Sequence, residues 1–344
     1  MHRNKFLIIV VVVFLLVGLA ACSSNPAPPE DVNASKSGPF IIKVGHAAAK
    51  DHFGQKTFEK FKELVEKNSD GNITVEIHPA GELGGEREML EMLLLGDLTM
   101  MAPASAPLDA ASKYMAIWDL PYLFKDAATA HKVLDGEVGQ FVLDSLLDKG
   151  LVGLVYWENG FRHLTNNIKP VSTVQDMAGL KMRTLENPMQ IKSWSLTGAQ
   201  ATPIAFTKLY DALKDHVVDA QETPLSLMYS MKFYDVQKYL SLTGHTYSPW
   251  PVVINKKFYD GLPTDLQQVV MDAAVEAREY NRELSKEDEV KALELLKQQG
   301  MSVTVLSDGQ KEEFKGAMNE IYTDVKAEIG DELYNKLMAE LNDK

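Results

Sequence analysis

Residues 40–78 read FIIKVGHAAAKDHFGQKTFEKFKELVEKNSDGNITVEIH, and their periodicity sets the fold class. Phe40-Ile41-Ile42-Lys43-Val44-Gly45 is dense in β-forming residues and predicts a first strand. Phe58, Phe61, Leu64 and Val65 recur at the spacing of one helix face. Asp70-Gly71-Asn72 is a turn signal, after which Ile73, Val75 and Ile77 alternate as a second strand. Glu86–Leu95 then reads as a helix and Met100–Ala102 as a short strand. Strand, helix, strand, helix, strand in succession predicts an open α/β sheet with parallel pairs.

Further along, Leu151–Trp157 reads as a strand that Asn159-Gly160 is expected to break. Leu180–Arg183, Val217–Ala220 and Pro251–Asn255 are further strand candidates. Asn187-Pro188 opens a helix, with asparagine as cap and proline in the first turn. Between Pro263 and Gly300 there is no other proline or glycine. One helix over that stretch would be about 54 Å long at 1.5 Å per residue, longer than a domain of some 150 residues. It is therefore expected to run across more than one domain; the alternative is two helices broken near Ser285.

The amino terminus reads as an address. Arg3 and Lys5 precede an uncharged apolar run, Phe6 to Ala21, too short for the roughly 20 residues of a membrane-spanning helix. The run ends in Leu19-Ala20-Ala21-Cys22, the pattern of a lipoprotein signal peptide. Residues 1–21 are thus expected to be removed, Cys22 to carry lipid, and 22–38, polar and proline-rich, to act as a flexible tether. The protein would then work outside the cytoplasm, held at a membrane surface. The alternative is an uncleaved anchor.

Composition excludes several classes. With one cysteine in 344 residues there is no intrachain disulfide and no cysteine-built metal site. A net charge of -13 disfavours nucleic acid as a partner. No nucleophile elbow, Walker loop or His-Glu-x-x-His motif is present, so no enzyme, cofactor or metal is expected. His46 and His52, six apart across a strand end, are not read as a ligand pair. Gly81-Glu82-Leu83-Gly84-Gly85-Glu86 imitates a phosphate cradle, but its glutamates would repel phosphate. Met89, Met92, Met100, Met101 and Met115 read as core. Arg162 and Arg183 follow or end strands, where open α/β sheets bind ligands. Two guanidinium groups there would match a carboxylate; the plainer reading of each is a surface ion pair.

Several motifs occur in one order: the lipobox and tether, Leu83-Gly84-Gly85-Glu86-Arg87-Glu88, Trp118-Asp119-Leu120-Pro121-Tyr122, Asn159-Gly160-Phe161-Arg162, Gly179-Leu180-Lys181-Met182-Arg183, Ala205-Phe206, Val218-Asp219-Ala220-Gln221-Glu222 and Lys232-Phe233-Tyr234-Asp235-Val236-Gln237-Lys238. Over about 38–340 the chain resembles the DctP-type extracytoplasmic solute receptors of tripartite ATP-independent periplasmic (TRAP) transporters. The resemblance implies an α/β, two-lobed fold of the type II periplasmic-binding-protein kind, with a hinge and a long helix spanning both lobes. Lobe I would hold 39–160 plus about 249–288, and lobe II 161–248 plus about 289–344. It implies a monomer that closes on an organic acid and serves a small and a large membrane subunit. Arg183 matches the arginine that pairs with the substrate carboxylate, Arg162 the second arginine and Phe206 an aromatic wall. The family asparagine after Gln221-Glu222 is Thr223 here, which still offers a hydroxyl, and the usual glycine before Gln221 is Ala220.

Glu186, Glu86, His46 and Trp157 are further candidates for the cleft. Acceptors beside an arginine clamp suit a polyhydroxylated monocarboxylate, a hexuronate or an aldonate. Glu186 has a second reading as a charge at a helix amino terminus. A C4-dicarboxylate would call for another cation in the first lobe; a 2-keto acid or an aromatic acid is the remaining alternative. A receptor serving a sensor instead of a transporter would carry the same cleft, and neighbouring genes for membrane subunits separate the two.

Overall fold

The computed structural model describes residues 39–342; the signal segment, the tether and Cys22 lie outside them. Strands β1 (Phe40–Gly45), β2 (Ile73–His78) and β3 (Met100–Met101) run parallel, with β1 between the other two. Helix α1 (Phe53–Asn68) buries Phe58, Phe61, Leu64 and Val65 against them, and α2 (Glu86–Leu95) buries Met89, Leu90 and Leu93. After α3 (Ala127–Leu134) and α4 (Glu137–Asp144) comes β4 (Leu151–Asn166). The second half holds β5 (Lys181–Thr184), α5 (Pro188–Leu196), β6 (Gln200–Pro203), α6 (Leu209–Lys214), β7 (Ala220–Pro224) and α7 (Leu225–Ser230). Then follow β8 (Tyr239–Asn255), α8 (Lys256–Asp260), α9 (Thr264–Gln298), β9 (Ser302–Val305), α10 (Asp308–Ala317), α11 (Glu320–Ile329) and α12 (Asp331–Asn342).

The strands form one sheet in the order β2-β1-β3-β8-β4-β7-β5-β6, with β9 on the free side of β8. Each half has a parallel set, as the strand–helix alternation predicts, but β4 and β8 run antiparallel through both halves. Their carboxyl- and amino-terminal parts serve different neighbours: β8 pairs β3 at Val253 and Ile254, and β9 at Tyr239–Leu242.

Asn159-Gly160 does not end the strand at 157. Glu158 faces Pro249 and Gly160 faces Ser248, so the step is a bulge, with Gly160 at φ 114°. A glycine takes that angle without steric cost, which lets β4 bend and continue. Likewise β7 begins at Ala220, not Val217, and β8 is far longer than Pro251–Asn255.

Helix α9 is one unbroken helix of 35 residues, roughly 52 Å. It packs on α1 and β4 in the first half and on α7 in the second. At the bulge, the Glu158 amide donates to Asn281 Oδ1 (2.5 Å) and Ser285 Oγ donates to Glu158 Oε1 (3.1 Å). The expected allotment of all of 289–344 to the second lobe does not describe α12. Its Leu333 and Leu337 share a core with Val133, Val138 and Val142 of α3 and α4, where burial of these apolar side chains holds it. Among the described residues no helix is long and apolar enough to cross a membrane.

Candidate functional site

The carboxyl ends of the parallel strands of both halves point at one another, and a small cavity of about 30 Å³ lies between them. His46 follows β1, Ala102 and Ala104 follow β3, Leu185 follows β5, Phe206 follows β6, and Thr223 lies in β7. Glu86 opens α2, and Asn159, Arg162 and Trp250 come from the crossing strands. Five residues expected from sequence thus line one cavity: His46, Glu86, Arg162, Phe206 and Thr223.

Arg183 stands directly behind this layer, with its guanidinium carbon 5.9 Å from the Phe206 ring centroid. It is fully buried, its Nε donates to the Ile204 carbonyl (2.8 Å), and Nη1 and Nη2 have no protein partner. Burial lowers its pKa to about 10, opposed by the charge of Glu222, so it is a cation at neutral pH. A buried cation with two unused donors is costly unless an anion meets it.

Arg162 is arranged differently. Its Nε and Nη2 (2.8 Å) grip the Glu222 carboxylate, and Nη2 also donates to the Glu222 carbonyl (2.7 Å). His245 Nε2 donates to the same carboxylate at 3.1 Å, and its Nδ1 meets Thr243 Oγ1 at 2.8 Å. Burial alone would push the Glu222 carboxyl up; Arg162 and His245 instead hold it down at about 2. The Arg162 charge is therefore balanced inside the protein, and the two arginines are not an equivalent pair.

Other polar atoms at the site also lack protein partners: the Thr223 hydroxyl, Asn159 Oδ1 and His46 Nδ1. Asn159 Nδ2 donates to Ser248 Oγ (3.2 Å), and His46 Nε2 bonds Gln55 Oε1 (2.8 Å). His46 stacks on Phe58 at 4.8 Å, and burial lowers its pKa to about 4, so it is neutral at pH 7. Glu86 Oε1 accepts from the Ala104 amide at 2.9 Å. Burial pushes the Glu86 carboxyl up, while the Ala104 amide, Arg183 and Arg162 pull it back and Glu186 adds to the rise.

Three expected residues fall outside the lining: Arg183, directly behind it, and Trp157 and Glu186. Trp157 does not sit at a strand end, because β4 continues past it. Its Nε1 donates to the Ala274 carbonyl (3.0 Å), and its ring meets Phe58 and Phe61 edge-on in the core. Its cross-strand partner Trp250 lines the cavity instead, packed so closely that a Cβ on Gly54 would lie 2.5 Å from the indole. Glu186 is half-buried beside the cavity mouth, where its carbonyl accepts from Arg87 Nη2 at 2.5 Å. Sequence reading missed Asn159, Trp250, Glu222 and His245. Asn159-Gly160 and Gln221-Glu222 stood in recognised motifs, but nothing local showed which side chains they meet.

Among the described residues no group of three or more His, Cys, Asp or Glu side chains could hold a metal ion. The arrangement suits capture of an anion by a fixed cation, with hydrogen-bonding groups spread around the rest of the solute.

The family model described as "Bacterial extracellular solute-binding protein, family 7" (DctP) matches residues 44–328. The chain is 36% identical over 303 residues to the 2,3-diketo-L-gulonate-binding periplasmic protein YiaO of Escherichia coli (strain K12), covering 88% of this chain and 89% of that one. It is 36% identical over 324 residues to the C4-dicarboxylate-binding periplasmic protein DctP of Rhodobacter capsulatus, covering 92% and 93%. The crystal structure of the sugar acid binding protein DctPAm from Advenella mimigardefordensis strain DPN7T in complex with galactonate superimposes with a TM-score of 0.86. That protein is 35% identical, and the match covers 88% of this chain and 98% of that one.

Proposed function

The chain belongs to bacterial extracellular solute-binding protein family 7, and on that premise we propose that it captures a sugar acid outside the cytoplasm for the membrane subunits of a TRAP transporter. The family is one of solute binding, not of catalysis. The observation that carries the reading is the Arg183 guanidinium, buried beside the cavity with Nη1 and Nη2 unpartnered. In this reading the solute carboxylate takes those two donors and the Thr223 hydroxyl, which stands where the family asparagine is expected. Arg162, occupied by Glu222, lends field and holds the β7 wall in place. Phe206 packs on the solute.

The choice of a hexuronate or aldonate is supported by Glu86, His46 Nδ1 and Asn159 Oδ1, acceptors suited to hydroxyl groups. Glu186 acts from the rim. The relative that binds galactonate agrees with this choice, while those that bind 2,3-diketo-L-gulonate, a keto sugar acid, and C4-dicarboxylates mark the alternatives.

Delivery follows from motion and anchoring. Two lobes, 39–160 plus about 249–288 and 161–248 plus about 289–330, would turn about the bulge between Glu158 and Gly160 and its partner Ser248-Pro249. Residues 1–21 would be cleaved, Cys22 lipidated and 22–38 left as the tether of a monomer. A thermal-shift panel of uronates, aldonates, C4-dicarboxylates and 2-keto acids tests the substrate class. Ligand at 100 times Kd adds about 2.7 kcal/mol of stability. Sugar acids are expected to give the largest shifts; succinate or malate exceeding all of them would move the reading to a dicarboxylate receptor.

A further inference from the structure

One buried hydrogen bond crosses between the halves through a residue that does not line the cavity. His52 lies in the loop between β1 and α1, and Ser226 lies in α7, directly after β7. Strand β1 belongs to the first parallel set, and β7 neighbours β5 in the second. His52 Nε2 meets Ser226 Oγ at 3.1 Å, and the two residues are 1% and 5% exposed. A second bond fixes the tautomer. The Gly54 amide donates to His52 Nδ1 at 3.0 Å, capping α1, so Nδ1 is an acceptor and the ring proton sits on Nε2, facing Ser226. The ring packs against Phe53 (4.3 Å) and against Trp250 (5.8 Å), which lines the cavity.

This arrangement holds only for a neutral imidazole. A second ring proton would go to Nδ1 and meet the Gly54 N–H, donor against donor, and it would leave a charge in a dehydrated contact. Phe53 of α1, Trp250 of β8 and Ser226 of α7 touch the ring, and none is charged; Asp51, beside it in sequence, is exposed. Burial lowers the His52 pKa to about 3, and the charge of His46 opposes protonation further. When the halves part, the ring meets water and regains the ordinary value of about 6.5. Closing thus demands a neutral ring: affinity is full above that value and falls about tenfold for each pH unit below it. We propose that His52 is a proton-sensitive latch between the halves, which bonds Ser226 when neutral and opposes closure when protonated, so that the protein captures its solute at neutral pH and yields it in acid. The proposal rests on the closing-receptor reading and names a group that sets its pH range.

Calorimetric titration with galactonate, or with succinate should that acid bind better, reads affinity and proton release together when run in buffers of different ionisation heat. Any share from His46 or from the solute is common to wild type and variant, so the difference between them is the readout. His52→Asn keeps a side-chain oxygen to cap α1 and removes the titrating ring. At about pH 5.5 it is expected to release roughly 0.9 fewer protons on binding than the wild type, and to lose about tenfold less affinity between about pH 7.5 and 5.5. Ser226→Ala leaves the ring in place, so it should keep the proton release but bind several-fold more weakly at neutral pH. Equal proton release and equal loss of affinity in acid for His52→Asn and wild type would overturn the role of His52, and full affinity in Ser226→Ala would overturn the bond as the latch. If His52→Asn does not fold, the ring resonances of His52 in the wild type decide: a pKa of about 6.5 that falls to about 3 with solute supports the latch, and one that solute leaves unchanged overturns it. A solute that binds without drawing the halves together removes the closing-receptor reading and the latch with it, whereas a preference for succinate touches the sugar-acid reading alone.

Discussion

Two nitrogens of the Arg183 guanidinium lie buried without a partner, whereas Arg162 spends its hydrogen bonds on Glu222. The difference predicts unequal consequences of mutation. Arg183→Ala should weaken sugar-acid binding at least a hundredfold, about 3 kcal/mol, since a charge-assisted contact is lost and the solute carboxylate is left unpaired in a closed site. Arg183→Lys keeps the charge but loses the planar fork and should also bind poorly. Near-wild-type affinity of a folded Arg183→Ala protein by calorimetry would remove this arginine from the site. Arg162→Ala should instead lower stability first, because it strands the buried Glu222 carboxylate. The placement of Glu86, Phe206 and Arg183 at or beside the cavity was legible from short recognisable stretches, that of Thr223 from its position after Gln221-Glu222, and that of His46 from the end of the first strand. The partner of Arg162 was not, since Glu222 lies 60 residues away and only the β4–β7 pairing brings it near. Trp157 was misplaced for a related reason: its assignment to the cleft depended on a strand end that the Gly160 bulge abolishes.

At the level of elements, local punctuation was read correctly where it acts locally. Asn187 caps α5 by accepting from the Gln190 amide (3.0 Å), Pro188 takes the first turn, and Pro263 and Gly300 flank α9. Long strands were not legible, because Asn159-Gly160 in β4 and Ser248-Pro249 in β8 carry the residues of a break and instead form a paired bulge. A set of loop contacts joins the two halves at the cavity mouth. Arg87 Nη2 donates to the Glu186 carbonyl, and Asn187 Nδ2 donates to the Ala106 carbonyl (3.1 Å) and to Asp109 Oδ2 (3.3 Å). These bonds exist only when the halves meet, so they should slow release more than they speed capture. Arg87→Ala is expected to raise the dissociation rate about tenfold, equal to about 1.4 kcal/mol, with the association rate little changed. Stopped-flow tryptophan fluorescence with a bound sugar acid measures both; an unaltered dissociation rate would show that the latch does not hold the closed form.

The whole molecule is two parallel-strand units joined by β4 and β8 and braced by α9, which packs on both. In the described structure the halves are in contact, and Arg183 and Thr223 are wholly covered. On the proposed reading a solute would reach them when the halves part and would hold the halves together by its contacts with Arg183 and the residues that line the cavity. Ligand would then shift a population between open and closed forms by its differential affinity, which is what would let membrane subunits distinguish the two. Small-angle X-ray scattering of the protein with and without a saturating sugar acid tests this account most directly. The account predicts a ligand-free radius of gyration larger than that of the structure described above, falling to match it when the acid is added. An equal radius in both conditions, with binding verified by calorimetry in the same sample, would contradict it.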